Sequence, residues 1–141
     1  MSEFINTADV IGDDEMCDQI ITRTVTEYKE NRISKIGEYA FWGCTALAIV
    51  DVPNVTSICA NSLSGCSVLT ALILRSDAVV VLENTNALAN ANGMSNSAIA
   101  NGTGYVYVPS ALVDSYKAAT NWSAYADQIL AIEDHPEITG G

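Results

Sequence analysis

Positive charge is what this sequence has least of: six Lys and Arg stand against seventeen Asp and Glu in 141 residues, a formal net charge of −11. The six are scattered without a cluster, so a phosphate backbone would be repelled rather than gripped, and nucleic acid is excluded as a partner. An anionic membrane surface is disfavoured on the same ground. Long apolar runs are missing too. None approaches the eighteen or so residues that span a bilayer, so no membrane insertion is expected. The opening stretch, Met1 to Asp14, is acidic and lacks the basic and apolar regions of a secretory leader, which predicts a chain not exported by that route. Histidine is nearly absent. His135 stands beside Pro136 in a tail expected to be mobile, which supports neither a Ser-His-Asp relay nor a histidine-based metal site.

Cysteine is scarce and unpatterned. Cys17, Cys44, Cys59 and Cys66 form no C-x-x-C pair, and a chain that is 49% apolar does not need staples, so all four are expected to be buried thiols. The acids Asp13-Asp14-Glu15 lack the alternating spacing and glycine turn of a calcium loop and fit a helix N-terminus better. Gly102-x-Gly104 lacks the third glycine of a phosphate-binding fingerprint. The sequons at Asn54, Asn101 and Asn121 are explained by chance. No metal and no cofactor are expected.

What the chain does have is apolar material with a period. Charged residues make up only 16%, which predicts one compact domain over 1–134 and a tail over 135–141. Ile36-Gly37-x-x-x-Phe41-x-Gly43-Cys44-Thr45-x-Leu47-x-x-Val50-x-Val52 recurs as Ile58-Cys59-x-x-x-Leu63-x-Gly65-Cys66-Ser67-x-Leu69-x-x-Leu72-x-Leu74, every position shifted by 22. One step back lands on Val25 and Tyr28. Forward of Leu74 the match decays, and Val106-x-Val108-Pro109 resumes it after an enlarged turn. A bend followed by a short strand with alternate apolar residues cannot bury its face alone. Successive turns must stack, their strands forming a parallel sheet about 4.8 Å apart.

These features predict an α+β repeat protein: a short leucine-rich-repeat solenoid of about three turns with helical caps at both ends. Residues 1–24 form the N-terminal cap, with a helix from Asp13 to Ile21, and 25–82 the repeat turns. Residues 83–104 form an Asn/Ala/Gly-rich loop with at most one helical turn and little burial. The last strand and C-terminal cap occupy 105–134. Ser110 is expected to cap a helix over 111–119 whose face is Leu112, Val113 and Tyr116, and Trp122, Tyr125 and Ile129 to continue it in a second helical turn. A second extended segment, Ile33 with Ile36 and Val55 with Ile58, is expected across the core.

The stretch Ile36-Gly37-Glu38-Tyr39-Ala40-Phe41-Trp42-Gly43-Cys44-Thr45-Ala46-Leu47, with its Val52-Pro53 ending, resembles the repeat of BspA-like leucine-rich-repeat proteins. Gly102 to Pro109 followed by Leu112 to Ser123 resembles the terminal module after such repeats in proteins of bacteriophages and gut Gram-positive bacteria. Together the resemblances cover residues 25 to 134. Cys59, where the family usually has glycine, and the degraded turn after Arg75 depart from the pattern. The resemblance implies surface recognition or assembly without catalytic residues: a virion protein of a phage tail or baseplate region, or alternatively a bacterial surface adhesin. Its partners would be other virion subunits, or a host-surface protein or glycan. A homo-oligomer is expected on size alone, since about three turns leave both solenoid ends close together and make each cap a large share of the surface.

Solenoids use the outward face of their sheet for recognition. The candidates there are Glu27, Ile49, Asp51, Ala71, Ile73, Tyr105 and Tyr107. An apolar row with tyrosines and single acids suits protein or carbohydrate contact. A catalytic reading rests only on Glu27 and Asp51 as a carboxylate pair across adjacent strands, and the expectation is that the chain is not an enzyme.

Overall fold

The computed structural model describes residues 10–11, 27–29, 34–38, 40–89 and 96–136, the strands at 10–11 and 27–29 through their backbone pairing. The expected capping helix from Asp13 to Ile21, Val25, Ile33, Cys17 and the tail beyond Pro136 lie outside these residues.

Among the described residues nine short strands form two parallel sheets, alternating between them from β1 to β8. Strands β2 (Glu27–Lys29), β4 (Ile49–Asp51), β6 (Ala71–Ile73), β8 (Tyr105–Val108) and β9 (Ile129–Ala131) form a five-stranded sheet in that order. The four-stranded sheet runs β1 (Val10–Ile11), β3 (Lys35–Ile36), β5 (Ser57–Ile58) and β7 (Val81–Leu82). The protein is therefore a small α/β protein with two parallel sheets and few, short helices.

The 22-residue offset of the sequence is the offset of the backbone. Tyr28 pairs with Val50 and Val50 with Leu72, while Lys35 pairs with Ser57 and Ile36 with Ile58. Leu72 then pairs with Val106, so the enlarged turn returns the chain to the same sheet. The strands form because their alternate residues have one apolar interior to share. Val50, Leu72, Val106 and Ile129 point inward from one sheet, and Ile36, Ile58 and Leu82 from the other. Phe41, Leu47, Leu63 and Leu69 fill the bends between them, all fully buried. Each such side chain stabilises the fold by about 1.5–3 kcal/mol relative to exposure. Gly43 and Gly65, at corresponding bends, have φ of 71° and 81°, a conformation that side chains with a Cβ disfavour.

The segment 83–104 departs from expectation in two ways. It contains two helical pieces among the described residues, a 3-10 turn at Thr85–Ala87 and helix α1 at Ala98–Asn101, and it contributes buried Ala87, Leu88, Ala98 and Ile99 to the interior. The Asn and Ser that look like loop formers serve as caps: the Asn84 and Ser97 side chains accept hydrogen bonds from the Asn86 and Ala100 amides. Three strands were also not foreseen, among them β7 at Val81–Leu82. Val10–Ile11 lies in the region expected as a helical cap, and Ile129 belongs to β9 rather than to a helical turn.

The C-terminal helix is shorter than expected. A 3-10 turn at Ser110–Leu112 leads into α2 at Val113–Ala118, and Ser110 does not cap it. The Ser110 amide and hydroxyl instead donate to the Glu133 carboxylate at 2.9 and 3.3 Å, a charged acceptor that outcompetes the helix end. Between α2 and β9 lies a 3-10 segment, Trp122–Gln128, and this module closes the four-stranded sheet with side chains instead of a strand. The Val80 amide donates to the Tyr116 hydroxyl at 2.8 Å, Trp122 Nε1 donates to the Val80 carbonyl at 2.6 Å, and Asn121 Nδ2 to the Leu82 carbonyl at 2.6 Å. Tyr116 and Trp122 are fully buried and meet edge to face at 5.4 Å. Burial raises the Tyr116 phenol above its ordinary pKa, so it stays protonated.

Candidate recognition surface

The strand pairing arranges the candidate residues in two rows across the five-stranded sheet. Glu27, Ile49, Ala71 and Tyr105 face one another along one row. Asp51, Ile73 and Tyr107 form the other, which starts at Lys29 and ends at Leu130. All seven thus come together by register, although nothing is described of the Glu27 side chain. Because successive residues of a strand point to opposite faces, these rows lie on the side away from the main interior.

That side is not an open surface. Ala71, Ile73 and Tyr107 are only 2%, 1% and 2% exposed, in a second apolar cluster with Ile132, against which Ile49, Tyr105 and Leu130 pack. The expectation of an exposed row is corrected for these three. Ile132 is in the 3-10 turn Ile132–Asp134 that follows β9, and the His135 ring meets Tyr107 edge to face at 5.3 Å. His135 is therefore packed on the sheet rather than in a mobile tail. Hydrogen bonds from its own amide and from Ser110 hold the Glu133 carboxyl below the usual carboxylate range, anchoring the same turn. What stays partly open is Ile49, Asp51 and Tyr105.

Asp51 is held in place. Arg75 Nε and Nη2 donate to its Oδ1 and Oδ2, each at 3.0 Å, a planar two-point contact. Glu27 pairs with Ile49 and Asp51 with Lys29, so the two acids are out of register by two residues. The carboxylate pair considered as a catalytic device is not formed in the backbone register, and Asp51 is committed to a guanidinium. Among the described residues there is no group of three or more His, Cys, Asp or Glu that could hold a metal ion, and no helix long and apolar enough to cross a membrane.

Arg75, Leu130, Ile132 and His135 join this face and were missed as site residues. Arg75 was within reach: it stands two residues after Ile73, and alternation carries it to the same side. The other three were hidden because no strand was expected at 129–131.

The cysteines divide. Cys59 and Cys66 are free and buried, whereas Cys44 is disulfide-bonded, which corrects the expectation of four thiols. Burial pushes the Cys66 thiol up to about 12, and it donates to the Phe41 carbonyl at 3.1 Å. Burial likewise raises Cys59, with the Glu83 charge adding to the shift. Comparison with protein-family models and with curated proteins returned no match for this chain.

Proposed function

We propose that the chain is a short BspA-like leucine-rich-repeat solenoid that serves as a non-enzymatic structural and recognition module. Its setting is a phage virion, in the tail or baseplate region, where it mediates protein assembly or binding to a host surface. The observation that carries this reading is the 22-residue register shared by β2, β4 and β6 in one parallel sheet and by β3 and β5 in the other, since a coil of that period stacks neighbours and presents a repeated outer face. Support for recognition over catalysis comes from Asp51, whose carboxylate is bound by Arg75, and from Ile49 and Tyr105, which offer apolar area with a polar tip.

Mass spectrometry of purified particles and of the cell-envelope fraction from the producing culture tests the setting. Recovery at a fixed ratio to tail proteins is expected, and recovery from the envelope alone would transfer the protein to the second reading. That reading, a bacterial surface adhesin binding host glycoprotein or matrix, is favoured by the bonded Cys44, because disulfides persist in oxidising settings outside the cytosol. For the binding face, the Ile49→Asp and Tyr105→Ala double variant is expected to weaken attachment to host cells about tenfold or more. Unchanged attachment would remove the sheet face from the proposal.

A further inference from the structure

Two cavities adjoin along the segment from Arg75 to Glu83, which links the two sheets. One, of about 470 Å³, lies beyond the ends of β4 and β6, against Asn54, Arg75, Ser76 and Asp77. The other, of about 370 Å³, lies between β7 and the turn Ala119–Trp122. Val79 lines both, which makes the two cavities neighbours along one trough-like stretch of surface. Its character changes along its length. The first cavity mixes polar and apolar lining, while the second is mostly apolar, with Val79, Val81, Ala119 and Trp122, and also carries Glu83.

Val81 is 60% exposed, the more exposed of the two large apolar side chains that stand open among the described residues. A single exposed valine is ordinary; what sets Val81 apart is the apolar cavity it lines together with Val79, Ala119 and Trp122. A partner strand cannot extend the sheet through the edge groups already used: the Val80 amide and carbonyl and the Leu82 carbonyl are bonded to Tyr116, Trp122 and Asn121. Recognition here must act through side chains. The charged lining consists of Asp77, Glu83 and Arg75, and Arg75 is bound to Asp51, which leaves the trough acidic, in keeping with a chain of net charge −11. The chain bends at Asp77 and Ala78 before it enters β7, so the two acids stand on either side of Val79–Leu82 in the sequence.

We propose that this trough binds an extended, basic segment of another protein. One apolar side chain seats against Val79 and Val81, and flanking Lys or Arg reach Asp77 and Glu83. Complementary charge draws the segment in, and the apolar pocket fixes its position.

The test is titration of ¹⁵N-labelled full-length protein with a seven-residue peptide of alternating Lys and Leu, and with an all-Lys peptide of the same length. The Lys/Leu peptide is expected to move the amides of Val79–Glu83 and Ala119–Trp122. It should bind about tenfold more tightly than the all-Lys peptide, and Val81→Asp should weaken it about tenfold while the rest of the spectrum stays folded. Asp77→Asn with Glu83→Gln should weaken it further and reduce its salt dependence. Equal binding of both peptides, shifts spread over the whole acidic surface, or an unaffected Val81→Asp variant would each overturn the assignment.

Discussion

A Cβ placed on Gly104 would strike the Leu69 carbonyl oxygen and come within 3.1 Å of the Ile99 amide nitrogen, both backbone atoms that cannot swing aside. Gly102 presents the opposite case: its φ is +87°, yet the nearest atom to a Cβ is the flexible Gln128 amide at 3.8 Å. Steric exclusion should therefore outweigh conformational preference. Gly104→Ala is expected to lose about 3 kcal/mol and Gly102→Ala about 1 kcal/mol, read from urea unfolding. Equal losses would contradict this account. At the cysteines, burial raises the Cys66 thiol to about 12, while an unfolded chain ionises it near 9. Below pH 9 both states hold the proton and the full contribution is present. Above it the unfolded state releases the proton first, so stability falls by about 1.4 kcal/mol per pH unit until the folded thiol ionises. Cys66→Ala should flatten this alkaline slope in urea unfolding between pH 9 and 10.5, and an unchanged slope would assign it to other groups. The bonded Cys44 adds a simpler count. Denatured, unreduced protein is expected to titrate fewer than four thiols and reduced protein four. Four without reductant would return Cys44 to a thiol.

Strand β7 depends on side chains that follow it by 36 to 42 residues. Tyr116, Asn121 and Trp122 occupy its outer edge as a neighbouring strand would, and Asn121 adopts a φ of 69° to do so. Trp122→Phe keeps most of the buried ring but leaves the Val80 carbonyl without its 2.6 Å donor, so a loss of about 1–3 kcal/mol is expected. Hydrogen exchange adds an element-specific readout: Tyr116→Phe should speed exchange at the Val80 amide selectively. Uniform acceleration would mean that the module only packs and does not close the edge. This arrangement explains what was legible in the sequence. β4 and β6 share the Leu-x-x-Leu-x-Leu spacing with an unbroken 22-residue shift, and β8 repeats its Val-x-Val ending, so periodicity alone locates them. β7 is displaced to a 24-residue offset from β5 within the continuous apolar run Val79 to Leu82, which has no period. β9 follows Trp122 and Tyr125, whose spacing reads as helical, and its pairing with β8 shows only in three dimensions. The candidate face was legible as two rows through strand alternation. Its partial closure was not, because Ile132 and His135 reach it from a segment with no repeat to mark it.

For the molecule as a whole, charge and apolar surface oppose each other. Seventeen acids against six bases repel a second copy of the chain, while Val81, Val68 and the partly open Ile49 and Tyr105 favour contact. Ionic strength decides between them. At 20 mM salt the Debye length is about 20 Å, comparable to the molecule itself, and repulsion dominates; at 0.5 M it is about 4 Å and only the apolar term persists. If the homo-oligomer proposed with the solenoid reading forms through these patches, multi-angle light scattering should find a monomer of 15.0 kDa at low salt and a larger species at high salt. Val81→Asp then separates the surfaces. Loss of the larger species would place the self-contact at the trough, in competition with the basic segment proposed for it, whereas persistence would place it at the sheet face. A monomer at both salt concentrations would leave assembly to a different protein, whose basic surface the same acidic charge would attract.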